Sequence, residues 1–316
     1  MMVLLISSLF CSCTATKSAV MNGLATTLAG ASKDGKQNKN SSSEMMSVLT
    51  GETDITLMTD FFPTALKIYE IMYVQNPSHQ GLATMLGSLY IMYANAFVQA
   101  PADMLPVEDF EKQRDEYNRA KMHYLRGRDY ALQALEQRYP GFTQKIFSGD
   151  ENLIQEAITQ LQPMDTPSLY WVGAGWLGAF SLDPLDVAII KDLRVPVLLL
   201  EKATTFDENY NKGAIWDVLC SFYAGAPSDF GGDMQKAEDA YKKLLVASNN
   251  ESISAFVTYA QVFCIPNQDV EGFKTSLEKA LAFDVNKDPS TRLQSIITQR
   301  KAQYLLDNID SYFIIW

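Results

Sequence analysis

The 316-residue sequence predicts an all-α fold in which pairs of helices repeat along the chain. Alanine, leucine, lysine and glutamate dominate its long middle stretches, and the valine-rich alternating runs of β-strands are rare. Small and aromatic side chains also recur at a spacing of about 34 residues, the length of one helical hairpin. Hydrophobic residues make up 47% of the chain, which is enough for a sizeable core. We therefore expect irregular helical hairpins stacked as a right-handed α-α superhelix.

The first residues predict an exported protein with a lipid anchor. Residues 1–10 form an uncharged apolar run, shorter than the ~18 residues that span a bilayer, and Ser12 and Cys13 follow it. A lipoprotein signal ends with a small residue before the cysteine that becomes acylated. We expect residues 1–12 to be a lipoprotein signal peptide and Cys13 to be the lipidation site. The alternative is a short buried helix with incidental cysteines.

Residues 13–52 have the composition of a flexible, disordered tether. They are rich in Ser, Thr, Asn and Lys, most strongly at residues 33–43. Such a tether would hold a folded body clear of the lipid headgroups, although residues 20–28 have the apolar content of a short helix. The folded domain is then expected at residues 53–316, with the folded body beginning near Ile55.

The first two predicted helices set the repeat frame. Pro77 marks the end of one unit. The packing positions of that unit's second helix are then Ala65, Tyr69 and Met72. Without a shift in the count, the matching positions of the next unit's first helix are Leu86, Gly87 and Tyr90. These are the small and aromatic positions of tetratricopeptide repeats, so the hairpins are expected to be tetratricopeptide-like.

Later units keep the signature of the second helix. Residues 201–207 read Glu-Lys-Ala-Thr-Thr-Phe-Asp, and residues 278–284 read Glu-Lys-Ala-Leu-Ala-Phe-Asp. Between them, residues 236–244 place an alanine and a tyrosine four apart on one helical face. Small side chains let paired helices approach closely, and each pair buries its remaining face on the next.

Proline and glycine mark where the predicted units are irregular. An insertion at residues 101–117 is expected to separate the helix of Tyr90 from a partner at 124–138, which Pro140-Gly141 ends. A further first helix is expected at 169–180, ended by Asp183-Pro184. A last helix at 291–308 would close the stack.

Charge and cysteine usage exclude some partners. The net charge of −11 leaves no basic stripe to replace the counterions of a phosphate backbone, so nucleic acid is not expected as a partner. Cys220 and Cys264 lie far apart in apolar stretches, which favours buried free thiols. Export would also permit a disulfide between them.

No motif of an enzyme, metal site or cofactor site stands out. Residues 173–178 match the spacing Gly-x-Gly-x-x-Gly, but no βαβ pattern surrounds them, so we interpret these glycines as one helix face made for close packing. His79 and His123 have no ligand or nucleophile pattern around them. We expect a protein that is not an enzyme and that carries no cofactor, catalytic residue or metal.

Aromatic residues are concentrated on the predicted first helices, which line the concave side of a helical solenoid. Most are expected to be core, and the rest would line a groove or pore for an apolar ligand or a partner segment. The candidates are Tyr90, Tyr93, Phe97, Tyr170, Trp171, Trp176, Trp216, Phe222 and Tyr223.

Several short sequence segments, in the same order along the chain, resemble those of the T component of TRAP transporters. This component, often called TatT, is a lipoprotein family with tetratricopeptide-like repeats. The blocks include Phe62-Pro63, residues 93–98, residues 125–131, Pro140-Gly141-Phe142, Tyr170-Trp171, residues 211–215, Gly231-Gly232-Asp233 and Arg300-Lys301-Ala302. Asp217 departs from the family pattern, which tends to have an apolar residue or histidine there.

The resemblance implies a periplasmic accessory role. Such a protein would be lipid-anchored to a bacterial membrane, dock the substrate-binding P component, assemble as a homotrimer and help to transfer a small hydrophobic ligand. The alternative is an architectural periplasmic repeat protein that scaffolds other lipoproteins without contacting solute. A packed interior without a through-channel would favour that alternative.

Overall fold

A computed structural model describes residues 48–314, and within this range the chain forms helices and no strand. The all-α prediction is confirmed. The helices are α1 Ile55–Gln75, α2 Gln80–Tyr93, α3 Phe110–Arg138, α4 Phe142–Ile146, α5 Glu151–Thr159, α6 Thr166–Leu182, α7 Val187–Ile190, α8 Arg194–Phe206, α9 Ala214–Gly225, α10 Met234–Ala247, α11 Ile253–Tyr259, α12 Val270–Leu281 and α13 Arg292–Asp307. The predicted signal peptide and Cys13 lie outside the described residues, as does most of the predicted tether.

Side-chain caps fix where several helices begin. The Asp54 carboxylate accepts a hydrogen bond from the Leu57 amide at 3.0 Å and starts α1. His79 does the same for α2, because its Nδ1 accepts from the Leu82 amide at 3.0 Å. This cap gives the first of the two histidines a structural role.

The predicted insertion at 101–117 is wrong. The α2 helix runs on through a π-helical segment, Ala94–Gln99, and a last turn, Ala100–Asp103, while α3 begins at Phe110. Pro101 does not end the helix, because it is the second residue after the π-helical segment, where the regular pattern of amide hydrogen bonds is already interrupted. The charged residues that resembled a loop are the exposed first turns of α3.

Glycines bring α2, α3 and α6 into close contact. A Cβ added to Gly127 on α3 would lie 2.7 Å from the Gly87 carbonyl oxygen on α2. On α6, an added Cβ would lie 2.9 Å from the Tyr124 carbonyl oxygen at Gly175 and 2.7 Å from the Tyr124 ring at Gly178. The Gly-x-Gly-x-x-Gly spacing is therefore a helix-packing face, as the sequence indicated.

The later hairpins pair as the repeat frame predicts. Helix α9 packs on α10, α11 on α12, and α13 follows as a final helix against α11 and α12. The two near-identical segments end α8 and α12, where Ala203 and Ala280 are completely buried. The handedness of the stack and the 53–316 domain boundaries stay predictions.

Two hydrophobic clusters make up the core. The larger extends from Met58 to Ala240 and also includes Leu293 of α13, while the smaller joins α11, α12 and the rest of α13. Cys220 belongs to the first and Cys264 to the second, and both are free and buried, as the sequence favoured. The last helix thus contacts both clusters.

Residues Gln80–Asp103 are long and apolar enough to cross a membrane by length and composition alone. Of its apolar 18-residue window, 67% is buried within the fold. That burial is typical of a core helix, and the helix is indeed enclosed by α3 and α6.

Candidate functional site

Six of the nine aromatic candidates are core residues in the single chain, each no more than 7% exposed. Rings buried to this extent contact neighbouring protein atoms over nearly their whole surface. They are Tyr90, Tyr93, Phe97, Trp176, Phe222 and Tyr223. The pore-lining role assigned to them from sequence stays a prediction, and the three candidates that retain accessible surface are Tyr170, Trp171 and Trp216.

Tyr90 belongs to a polar network that connects the first three helices. Its hydroxyl donates to the Glu70 carboxylate at 2.7 Å, and Tyr130 donates to the same carboxylate at 3.0 Å. Lys67 adds an ion pair at 2.6 Å. Burial alone would raise the pKa of Glu70, but these three donors stabilise its anion, and the pKa is lowered. The network holds α1 on α2 and α3.

His123 lies beside this network as a neutral ring. It stacks on Tyr90 with ring centroids 5.7 Å apart and meets Tyr93 edge-on at 5.2 Å. Burial, with the nearby charges of Arg119 and Arg126, lowers the pKa of His123 to about 4. At neutral pH it is therefore an uncharged packing residue between two of the candidate tyrosines.

Trp176 and Trp216 are each held by a specific contact. The Trp176 indole donates to the Ile189 carbonyl oxygen at 3.3 Å and lies beneath the Arg128 guanidinium at 4.8 Å from the ring centroid. The Trp216 indole donates to the Glu208 carbonyl oxygen at 2.8 Å, and the Lys243 ammonium covers its ring at 4.3 Å. Both indoles already have partners within the chain.

Tyr170 and Trp171 form a half-buried aromatic group with Tyr210. The Tyr170 ring lies 4.7 Å from the Trp171 ring and 5.3 Å from the Tyr210 ring. Burial raises the pKa of Tyr170 and raises that of Tyr210 to about 12. These rings are thus desolvated by surrounding protein, yet they keep accessible surface. This combination is typical of side chains that border an internal space.

Asp217 on α9 is half-buried and was not a site candidate from sequence. Its Oδ1 accepts a hydrogen bond from the Thr258 hydroxyl at 2.7 Å, which connects α9 to α11. Burial raises the pKa of Asp217, although hydroxyl groups of Ser254 and Thr258 act against that rise. The same carboxylate contributes to the raised pKa of Tyr170, after burial and Tyr210. In the sequence, Asp217 could have been noticed as an acidic residue within a predicted apolar helix.

Helix α13 contacts the beginning of the described chain at two places. The Lys301 ammonium lies 3.6 Å from the Asp103 carboxylate at the end of α2. Arg292 donates to the Gly51 carbonyl oxygen at 3.1 Å. The last helix of the described chain therefore contacts the segment before α1 and the end of the helix that continues α2.

Two surface features stand apart from the interior. Helix α1 exposes large apolar side chains in a helical stripe, the α1 stripe, which consists of Leu57, Phe61, Ile68, Ile71 and Val74. The start of α3 and the turn before it carry an acidic surface with two exposed apolar side chains, the α3 acidic face, which consists of Val107, Glu108, Asp109, Phe110, Glu111, Asp115 and Glu116. Lys112 and Arg114 lie in the same segment and are also exposed, and Asp115 and Glu116 form ion pairs with Arg114 at 3.6 Å and with Arg119 at 2.9 Å.

The described residues thus form packed helical hairpins with a polar and aromatic interior. The model of the family "TRAP transporter T-component" matches residues 51–313, so the chain belongs to that family, and the resemblance drawn from its sequence blocks is confirmed. It is a transport accessory protein of a family associated with the bacterial membrane or periplasm. The chain is also 40% identical over 308 residues to an uncharacterized protein of Treponema pallidum (strain Nichols), covering 98% of this chain and 95% of the relative.

Proposed function

We propose that this chain is a periplasmic, lipid-anchored T component that docks the substrate-binding P component and helps to transfer a small hydrophobic ligand. The observation that carries the ligand role is the half-buried group of Tyr170, Trp171 and Tyr210, desolvated yet accessible. Apolar walls with a few polar groups are typical of small-molecule sites.

Native mass spectrometry of the chain purified from membranes tests the ligand role. We expect a co-purified apolar compound that is released on denaturation. Trp171→Ala should reduce its occupancy, whereas Trp216→Ala should not, because the Trp216 ring is covered by Lys243. A chain that never carries or takes up an apolar molecule would favour the alternative function, an architectural repeat protein that scaffolds other lipoproteins.

The α3 acidic face is the proposed docking surface for the P component. Its carboxylates would steer a partner with a basic surface, while Val107 and Phe110, 86% and 60% exposed, would provide apolar contacts. Pull-down of the cognate P component by the full chain tests this. The charge reversals Glu111→Lys and Asp115→Lys should weaken capture strongly at low salt. The matched reversal Glu238→Lys on α10, also exposed, should leave it unchanged.

We propose that three copies of the chain associate through the α1 stripe, because interfaces in permanent homo-oligomers are more apolar than transient interfaces. Val74 is 75% exposed within the stripe, and Val246 is 76% exposed on α10, outside it. Val74→Glu should therefore dissociate the trimer in sedimentation experiments, and Val246→Glu should not. If both variants sedimented as trimers, the α1 stripe would not be part of the trimer interface.

The proposed anchor is the acylated Cys13, with residues 13–52 as the tether. Cys13→Ser should move the protein from the detergent phase to the aqueous phase after Triton X-114 partition. Retention of that variant in the detergent phase would contradict lipid attachment at this residue.

A further inference from the structure

A groove crosses three helices in the last part of the described chain. It lies between α10, α11 and α12 and has a volume of about 570 Å³. Its apolar lining comes from Tyr241, Leu245, Phe256 and Tyr259, with the Tyr241 and Tyr259 ring centroids 5.5 Å apart. All four side chains are half-buried, so they keep apolar surface in contact with solvent. A groove of this kind favours an apolar occupant.

Helix α12 gives the groove a charge at each end. Glu271 and Lys279 both line it, and both are exposed. They are eight residues apart in one helix, which places them about 12 Å from each other along its axis. Glu271 is held loosely, by Lys274 of the same helix at 3.9 Å. The groove therefore suits an apolar segment of about this length, with a positive charge at the Glu271 end and a negative charge at the Lys279 end.

The chain itself contains such a segment, residues 20–28, which precedes the described residues. Val20, Leu24 and Leu28 recur at every fourth position, which would place them on one face of a helix. Nine helical residues are about 13 Å long, which matches the spacing of the two charges in the groove. Lys17 comes about one turn earlier and adds positive charge to the beginning of such a helix, whereas its end is partly negative.

The linker between this segment and the described chain is long enough to reach the groove. The Gly51 carbonyl oxygen accepts a hydrogen bond from Arg292, which follows the loop after α12. In that loop, Lys287 forms an ion pair at 2.6 Å with Glu251, and the residue before Glu251 lines the groove. These contacts connect the start of the described chain to the groove over less than about 40 Å, whereas residues 29–47 can span about 60 Å when extended.

Net charge favours the same contact. Residues 13–47 contain four lysines and two acidic residues, whereas residues 48–316 contain 22 basic and 35 acidic residues. The leading segment is thus positive and the rest of the chain is strongly negative, so the two attract each other.

We propose that residues 20–28 bind as a short helix in the groove of the same chain. The apolar face of this helix packs on the tyrosine rings of the groove, and Lys17 lies near Glu271. The helix therefore runs in the same direction as α12. This gives the segment a binding role beyond the proposed function, in which residues 13–52 are only a tether.

Docking of the segment sets how the folded body faces the membrane. With the segment bound, only residues 14–19 separate it from Cys13, and six residues span at most about 20 Å. The groove then faces the lipid surface, whereas release of the segment lets the body move away by the length of the whole tether. This consequence rests on the proposed anchor at Cys13, but the docking itself does not.

Intramolecular disulfide formation tests the docking. The protein is the mature chain with Cys13→Ser, whose two remaining cysteines are buried. Leu24→Cys is combined with Thr275→Cys in the groove, and oxidation by copper phenanthroline in dilute solution is followed on gels. We expect linked single chains to form at least about tenfold faster than with Asp239→Cys as the second position, because docking raises the effective concentration only at the groove.

Asp239 is the matched control position on α10. It is exposed, and it lies two residues before Tyr241, which places it about 200° around the helix and away from the groove. An undocked tether would reach positions 239 and 275 alike.

Substitutions in the leading segment separate docking from simple tethering. Val20→Asp together with Leu28→Asp should slow the linkage to position 275 to the rate of the control pair, because charges then lie on the apolar face. Ser41→Asp together with Ser43→Asp adds the same charge to the polar linker and should leave the linkage fast. All four positions lie outside residues 48–314, so the packed body is unchanged.

Three results would overturn the proposal. Equal rates at positions 275 and 239 would mean that the segment has no preferred place on the body. Faster linkage with Val74→Cys than with Thr275→Cys would place the segment on the α1 stripe. Linked oligomers in place of linked single chains would mean that the groove holds the segment of a second copy. The Triton X-114 partition tests the anchor separately, so a failed anchor and a failed docking are distinguishable.

Discussion

Gly127→Ala is expected to force α2 and α3 apart where Gly127 packs on Gly87. The added Cβ would lie 2.7 Å from the Gly87 carbonyl oxygen and 2.6 Å from Ile91 Cγ1. Neither atom is the free end of a flexible side chain, so the backbones must move. Overpacking of this kind costs about 1–3 kcal/mol, and the better helix propensity of alanine offsets up to about 1 kcal/mol. We expect a net loss of about 1–2 kcal/mol in the free energy of unfolding.

Urea unfolding followed by far-ultraviolet circular dichroism measures this loss as a lower midpoint at an unchanged slope. The matched control is Gly225→Ala at the end of α9, where an added Cβ would have no neighbour within 4 Å. That control should be neutral or stabilising by less than about 1 kcal/mol. If Gly127→Ala were as stable as the unchanged chain, the close contact between α2 and α3 would not be a packing constraint.

Three further perturbations test the polar interior. The pKa of His123 is about 4 in the folded chain and 6.5 in the unfolded chain, so the unfolded chain binds the proton first as the pH falls. Between pH 7 and 4.5 the free energy of unfolding should therefore drop by about 2 kcal/mol through this residue. In urea titrations, His123→Phe should lack this part of the drop. Glu70→Gln should lower the unfolding free energy by about 1–2 kcal/mol, because hydrogen bonds to a charged acceptor become neutral ones. It should also reduce acid sensitivity below pH 4.5, the region in which a lowered carboxyl pKa loses its contribution. Lys301→Met should lower the free energy of unfolding by about 1 kcal/mol, a small loss because the ion pair with Asp103 is partly exposed to solvent. Adding Asp103→Asn to that variant should restore most of the lost stability. If it restored none, the ion pair would not stabilise the fold.

Local sequence signals located the helices well, because helix periodicity, caps and helix-ending prolines act over only a few residues. The folded body was expected to begin near Ile55, and α1 begins there. The last was expected at 291–308, and α13 is Arg292–Asp307. The prediction of an insertion at 101–117 was wrong, because the helix continues past Pro101 through a π-helical segment. Such a segment has no local sequence signature that could have predicted it.

The sequence by itself determined that this chain is an all-α stack of helical hairpins of the TRAP transporter T-component family, since spacing and ordered short blocks are properties of the linear chain. Only the tertiary structure decided which aromatic side chains are core and which keep accessible surface, because that depends on what packs against each face. It also decided that Asp217 meets Thr258 and that Lys301 meets Asp103, pairs of residues far apart in sequence. Such contacts are set by how whole helices pack on one another, and no local pattern encodes them.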